Sequence, residues 1–155
     1  RSRFWFLEAS RPSIQICVRE GCNAIESEQH LFFDCTLASQ LWRQVSALVS
    51  LFFAERLTWL DIALGNKLRV RDDWAKCSDV VRDVWHVLRA ATLHTVWSDR
   101  NRCLFDGRQP TPAAPALSVT FATFSAHVRF LLRRGYEGKN VQALRQVIDK
   151  MKTHS

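Results

Sequence analysis

Three cysteines and one histidine crowd into nineteen residues, in the pattern Cys17-x4-Cys22-x7-His30-x4-Cys35. Thiolates and an imidazole are the donors that zinc takes, and Cys3His is one of the four-ligand sets of structural zinc sites. The first two cysteines are near enough for one tight turn to deliver both sulfurs. Gly21 stands directly before Cys22, where such a turn needs a residue free to take positive φ. The x4 gap of that pair is wider than the common x2, and the x7 and x4 gaps that follow are those of a zinc-knuckle-like element. His30 and Cys35 lie five apart, a gap that a turn or the start of a helix closes. Four protein ligands fill the coordination shell, whereas a catalytic zinc keeps a position open for water. The expected Zn2+ is therefore a staple, and Glu28 nearby has no metal-bound water to deprotonate. The plainer alternative makes the cysteines small apolar core residues and His30 a hydrogen-bonded core histidine. The clustering argues against it.

Five cysteines is an odd number, so complete internal disulfide pairing is impossible. Cys77 and Cys103 stand apart in helical patterns and read as small buried apolar side chains. That usage points to an intracellular, reducing compartment, cytoplasm or nucleus.

The elements that must position the cluster read as helices. Glycine (five) and proline (four) are too scarce for a chain of tight β turns. Ile14 and Ile16 alternate with polar residues and predict a short extended lead into the metal loop. Leu31, Phe32 and Phe33 form an apolar wall beside it. Thr36 is the expected N-cap of a helix whose stripe is Leu37, Leu41, Val45 and Leu48, widened by Ala38 and Trp42. Thr58 and Asp61 have capping-box spacing ahead of a short helix with Leu60 and Leu64 on one face and Gly65 as its stop. The longest helix is expected from Asp72 or Asp73 to about Leu104, with Val81, Val84, Trp85, Leu88, Thr92 and Val96 in period. A helix over Leu117 to Arg134 carries Phe121, Phe124, Val128 and Leu131 or Leu132. A last one, capped by Asn140, carries Val141, Leu144, Val147, Ile148 and Met151. The fold class is mainly α: a small irregular zinc-bound N-terminal loop followed by a bundle of about five helices. The three prolines and one glycine between Gly107 and Pro115 mark the strongest boundary. Residues 1–106 are thus a zinc-binding helical domain, 107–115 a Pro-rich linker and 116–155 a basic helical region.

The net charge of +7 is concentrated in that last region. Residues 1–60 hold six Arg against six acids, while residues 108–155 hold eight basic residues against Glu137 and Asp149, a surplus of six. Such a surplus favours polyanions, nucleic acid above all. A solvated basic face is the competing reading. Arg129, Arg133 and Arg134 form the natural cluster, with Lys139 after the turn. The most apolar stretch, Val45 to Ala54, is about half the length of a membrane span, so a soluble chain without membrane contact is expected. The chain opens on Arg1 and runs at once into Phe4, Trp5 and Phe6, the expectation being a segment of something longer or a processed product, with an apolar docking patch at Phe4 to Leu7.

From Cys17 to Trp42 the sequence resembles the zinc-binding domain that follows the reverse transcriptase of non-LTR (LINE-type) retrotransposons. The matching residues are Cys17, Cys22, Glu28, His30, Leu31, Phe32, Cys35, Ala38 and Trp42. A second segment, Trp97-Ser98-Asp99-Arg100-Asn101-Arg102-Cys103-Leu104-Phe105, looks like the family's Trp-x-x-Arg-Asn signature with its following Phe. The resemblance implies a non-catalytic accessory module beside an upstream polymerase domain, in contact with template RNA or target DNA. It carries over the four ligands and makes Arg100 and Asn101 candidates for a phosphate contact, against a structural role near a helix end. Ala38 and Trp42 read as core packing. Polymerase chemistry has no Tyr-x-Asp-Asp here, the sole tyrosine being Tyr136, and no spaced carboxylates point to an RNase H or endonuclease. A purely structural or protein-docking module, or a decayed retroelement copy, are the other readings.

Overall fold

The computed structural model describes residues 15–65 and 68–154. Ile14, Phe4 to Leu7 and the side chain of Arg134 lie outside the described residues. Five α-helices make the body: α1 (Thr36–Val49), α2 (Trp59–Leu64), α3 (Ser78–Asp106), α4 (Ala113–Phe130) and α5 (Lys139–Lys152). Among the described residues the only β pairing is two isolated antiparallel bridges, Ile16 to Ile25 and Phe53 to Val70. The extended lead expected around Ile16 is the first of these.

α3 is the central element. Helices α1, α4 and α5 and the turns just ahead of α1 and of α3 all rest on it. Its predicted stripe of Val81, Val84, Trp85, Leu88, Thr92 and Val96 is buried throughout, as is the stripe of α1 including Ala38 and Trp42. Trp42 and Trp85 meet across the α1–α3 contact with ring centroids 6.3 Å apart. Where α4 crosses α3, the fully buried Thr120 places its hydroxyl 3.0 Å from that of Thr95. Each threonine also lies 3.0 Å from a carbonyl four residues back in its own helix, so no buried hydroxyl is stranded.

The helix boundaries differ from expectation for local reasons. Thr36 is the first residue of α1 and not its cap: Cys35, extended at ψ 145°, takes that position. The long helix starts later, because Asp72–Cys77 forms a 3-10 turn and only Ser78 begins the α-helix. Trp74 holds that turn, edge-on to Phe52 at 4.9 Å. α3 then runs to Asp106 and stops at Gly107, in the left-handed region at φ 65°. α4 begins at Ala113, four residues before Leu117, with Pro112 as cap and Pro115 in its first turn. An N–H there has no intrahelical partner, so proline costs no bond. α4 also ends early, at Phe130, and Leu131–Gly135 form a wide π turn. The cap of α5 is Gly138, at φ 55° and ψ −126°, and not Asn140. Only glycine takes that conformation without strain.

α2 has the predicted capping box between Thr58 and Asp61 and the predicted stop at Gly65. Its core residue is different, however. Ile62 is fully buried, while Leu60 and Leu64 stand exposed. Arg89 of α3 fixes this orientation by donating to the carbonyls of Ile62 (2.5 Å) and Ala63 (2.9 Å) at the helix end. No helix of the described residues is long and apolar enough to cross a membrane.

Leu144 of α5 is fully buried in the core that α1 and α3 share. Leu144→Ala should lower the unfolding free energy by about 2–5 kcal/mol in urea titration, within a single transition. A loss under about 1 kcal/mol would show that α5 does not belong to that core.

Candidate metal centre

Cys17, Cys22, His30 and Cys35 come together as one cluster, with all four donor atoms within 4.8 Å of one another. A short hairpin supplies the first pair. The Cys17 N–H donates to the Ala24 carbonyl (2.9 Å) and the Glu26 N–H to that of Gln15 (2.7 Å). Between them the chain turns back through Gly21 at φ 75° and Asn23 at φ 48°, and the Cys22 N–H closes on the Arg19 carbonyl at 3.1 Å. His30–Asp34 forms a π turn, closed by the Cys35 N–H on the His30 carbonyl at 2.7 Å. In a regular α-helix residues five apart point about 140° away from each other. The wider turn reduces that angle and aims His30 and Cys35 at one point. Ser27 starts this segment by accepting the His30 N–H at 3.0 Å.

The spacing of the donors tests the site. Cys17 Sγ and Cys35 Sγ are 3.7 Å apart, and Cys22 Sγ lies 3.5 Å from His30 Nε2. A tetrahedral ion with bonds of about 2.3 Å to sulfur and about 2.0–2.1 Å to nitrogen requires edges of about 3.8 Å between sulfurs and about 3.6 Å from sulfur to nitrogen. A disulfide would need about 2.05 Å between sulfurs, and all five cysteines are free. The group could hold a metal ion. Cys35 is buried and the other three ligands are half-buried. The Cys17 thiol is pushed up to about 12, by burial first and then by its neighbours Cys35 and Cys22, against a lowering hydrogen bond from the Arg19 backbone.

Two ion pairs bolt this loop to α3. Arg100 Nε meets Glu26 Oε1 at 2.7 Å, and these side chains are 4% and 3% exposed. Arg19 pairs with Asp99, whose side chain is equally buried. Asp99 also accepts the Thr111 N–H (3.0 Å), and Arg19 donates to the Thr111 carbonyl (3.1 Å). The segment joining α3 to α4 is thereby tied to the same knot. On the other side of the loop, Trp42 Nε1 donates to the Phe32 carbonyl at 2.6 Å.

Of the other predicted site residues, Arg100 faces inward, occupied by Glu26, and Asn101 is half-buried. Arg129, Arg133 and Lys139 are exposed. Cys77 and Cys103 are half-buried and outside the cluster, and burial raises both thiols, which disfavours the reactive thiolate. Sequence reasoning missed Arg19, Glu26 and Asp99. The available signal was a pair of adjacent opposite charges, Asp99 and Arg100, facing an Arg and a Glu in the metal loop. Comparison of the chain with family models, with curated proteins and with solved structures finds no match.

Two measurements check the centre. Arg100→Met leaves Glu26 buried without its countercharge and should cost about 3–5 kcal/mol of unfolding free energy, most of it regained in the double variant Arg100→Met, Glu26→Leu. An equal loss in both would show that the pairing is irrelevant. Because Cys17 keeps its proton at neutral pH, metal must displace it. Metal affinity should therefore rise from about pH 6 to about pH 8, with proton release visible as buffer-dependent binding heats. Affinity independent of pH and buffer would contradict thiolate ligation.

Proposed function

We propose that this chain is a zinc-binding, nucleic-acid-binding accessory module of a retrotransposon reverse transcriptase, non-catalytic by itself, in contact with template RNA or target DNA. One observation carries the reading furthest. The two segments that resemble the family, the metal loop and Trp97–Phe105, are joined side chain to side chain through Glu26 and Arg100. A buried pair of this kind gives a physical reason for both segments to occur in one domain. Three thiolates and an imidazole favour zinc over the hard, oxygen-seeking ions, and four protein ligands make it structural.

The charge supports a polyanionic partner. Arg129, Arg133 and Lys139 reach solvent, while the arginines nearest the metal are engaged with carboxylates. Arg100 thus supports the fold, and phosphate contact falls to the cations of α4 and α5. A second reading, docking on a polymerase domain, is favoured by the exposed Leu60 and Leu64 on α2.

Fluorescence anisotropy with labelled RNA and DNA decides between them. Binding should weaken with salt, by about 0.7 in log–log slope per phosphate on single strands and about 0.9 on duplex DNA. Measurable affinity that persists at physiological ionic strength is expected. Binding confined to low salt would favour the docking module instead.

A further inference from the structure

We propose that a single-stranded polynucleotide binds through its phosphodiester backbone in the groove between α5 and the 3-10 turn ahead of α3. This rests on the nucleic-acid reading above and names the surface. The groove encloses about 750 Å³. Lys139, Gln142, Gln146 and Lys150 line one wall, and Lys76 and Trp74 stand on the other. The four residues of α5 recur at spacings of three and four, so they share one helix face. That face runs over about 17 Å from Lys139 to Lys150. A row of ammonium groups with amide donors between them matches successive phosphates, and Trp74 offers an aromatic wall. Positive groove and aromatic side chain are the two parts that single-strand binders combine.

Acidic residues also face it. Asp73 and Asp149 line the same groove, and Asp149 is countered by Lys152 at 3.4 Å. Beyond Asp73 a second depression continues past Arg69, Arg71 and Asp72. Along the whole track five cations (Arg69, Arg71, Lys76, Lys139, Lys150) outweigh three carboxylates (Asp72, Asp73, Asp149). The groove lies at the N-terminal end of α3, and Asp99 lies about 33 Å further along that helix. The metal loop and this surface therefore lie toward opposite ends of α3. Tyr136, bonded to Asp83, brings the end of α4 to the same end of α3 as the groove.

The test uses the full zinc-loaded chain with labelled single-stranded RNA, single-stranded DNA and a duplex of equal length. Lys76→Gln, Lys139→Gln and Lys150→Gln are combined in one variant. Arg43→Gln, Arg56→Gln and Arg108→Gln, cations elsewhere on the surface, form a control of equal charge. Zinc content and circular dichroism report that both variants fold. The groove variant should bind single strands at least tenfold more weakly, with the salt slope reduced by about 2, and the control should change little. Equal losses in both variants, or a loss for the duplex alone, would overturn the groove while the function stands. A wild-type chain that binds no polynucleotide would overturn both.

Discussion

Neither Arg100 nor Glu26 could carry its charge where it lies without the other. Desolvating a single ion costs several kcal/mol even after relaxation, and a pair recovers that only at close range with good geometry. The contact between Arg100 Nε and Glu26 Oε1 is close, at 2.7 Å with both side chains almost wholly covered, while the buried Glu26 Oε2 has no hydrogen-bond partner among the described residues. The rest of the N-terminal third follows. Leu31 and Cys35 are buried in the core, whereas the hairpin that carries Cys17 and Cys22 is closed by few backbone bonds. It holds its place because Glu26 and Arg19 are each fixed to neighbouring residues of α3. A metal ion on the Cys/His cluster would constrain the same short stretch from the opposite side.

The constraint propagates through α3. Asp99 receives Arg19 and the Thr111 N–H together, so the start of α4 is set by the residues that hold the metal loop. Further along, Thr95 and Thr120 fix the crossing of α3 and α4. The helix is long enough to hold a metal centre near one end and the α5 groove near the other. On the proposed reading, function is divided accordingly: the metal end secures the fold, and the basic end meets the partner.

Much of the fold was legible in the residues. The ligand set could be read because cysteine and histidine are rare residue types, and their crowding into one short loop is what a soft metal ion requires and what a packed core does not. The helices could be read because α1, α3 and α5 keep their apolar period. What escaped was set by contacts distant in sequence. The turn ahead of α3 depends on Trp74 meeting Phe52, and the burial of Ile62 in place of Leu60 and Leu64 depends on Arg89. The caps moved by a residue or two because Gly138 and the Cys35 backbone offered better geometry than the side chains of Asn140 and Thr36. Arg100 was divided between phosphate and structure, and its pairing with Glu26, far earlier in the chain, favours structure. Charge pairing leaves no periodic trace.

X-ray absorption at the zinc edge tests directly whether this Cys3His cluster holds the proposed structural zinc. The purified chain should carry one zinc per molecule, with three sulfur neighbours at about 2.3 Å and one nitrogen at about 2.0–2.1 Å. A zinc-free chain that keeps its full helical structure, or a zinc shell made of oxygen and nitrogen alone, would contradict it.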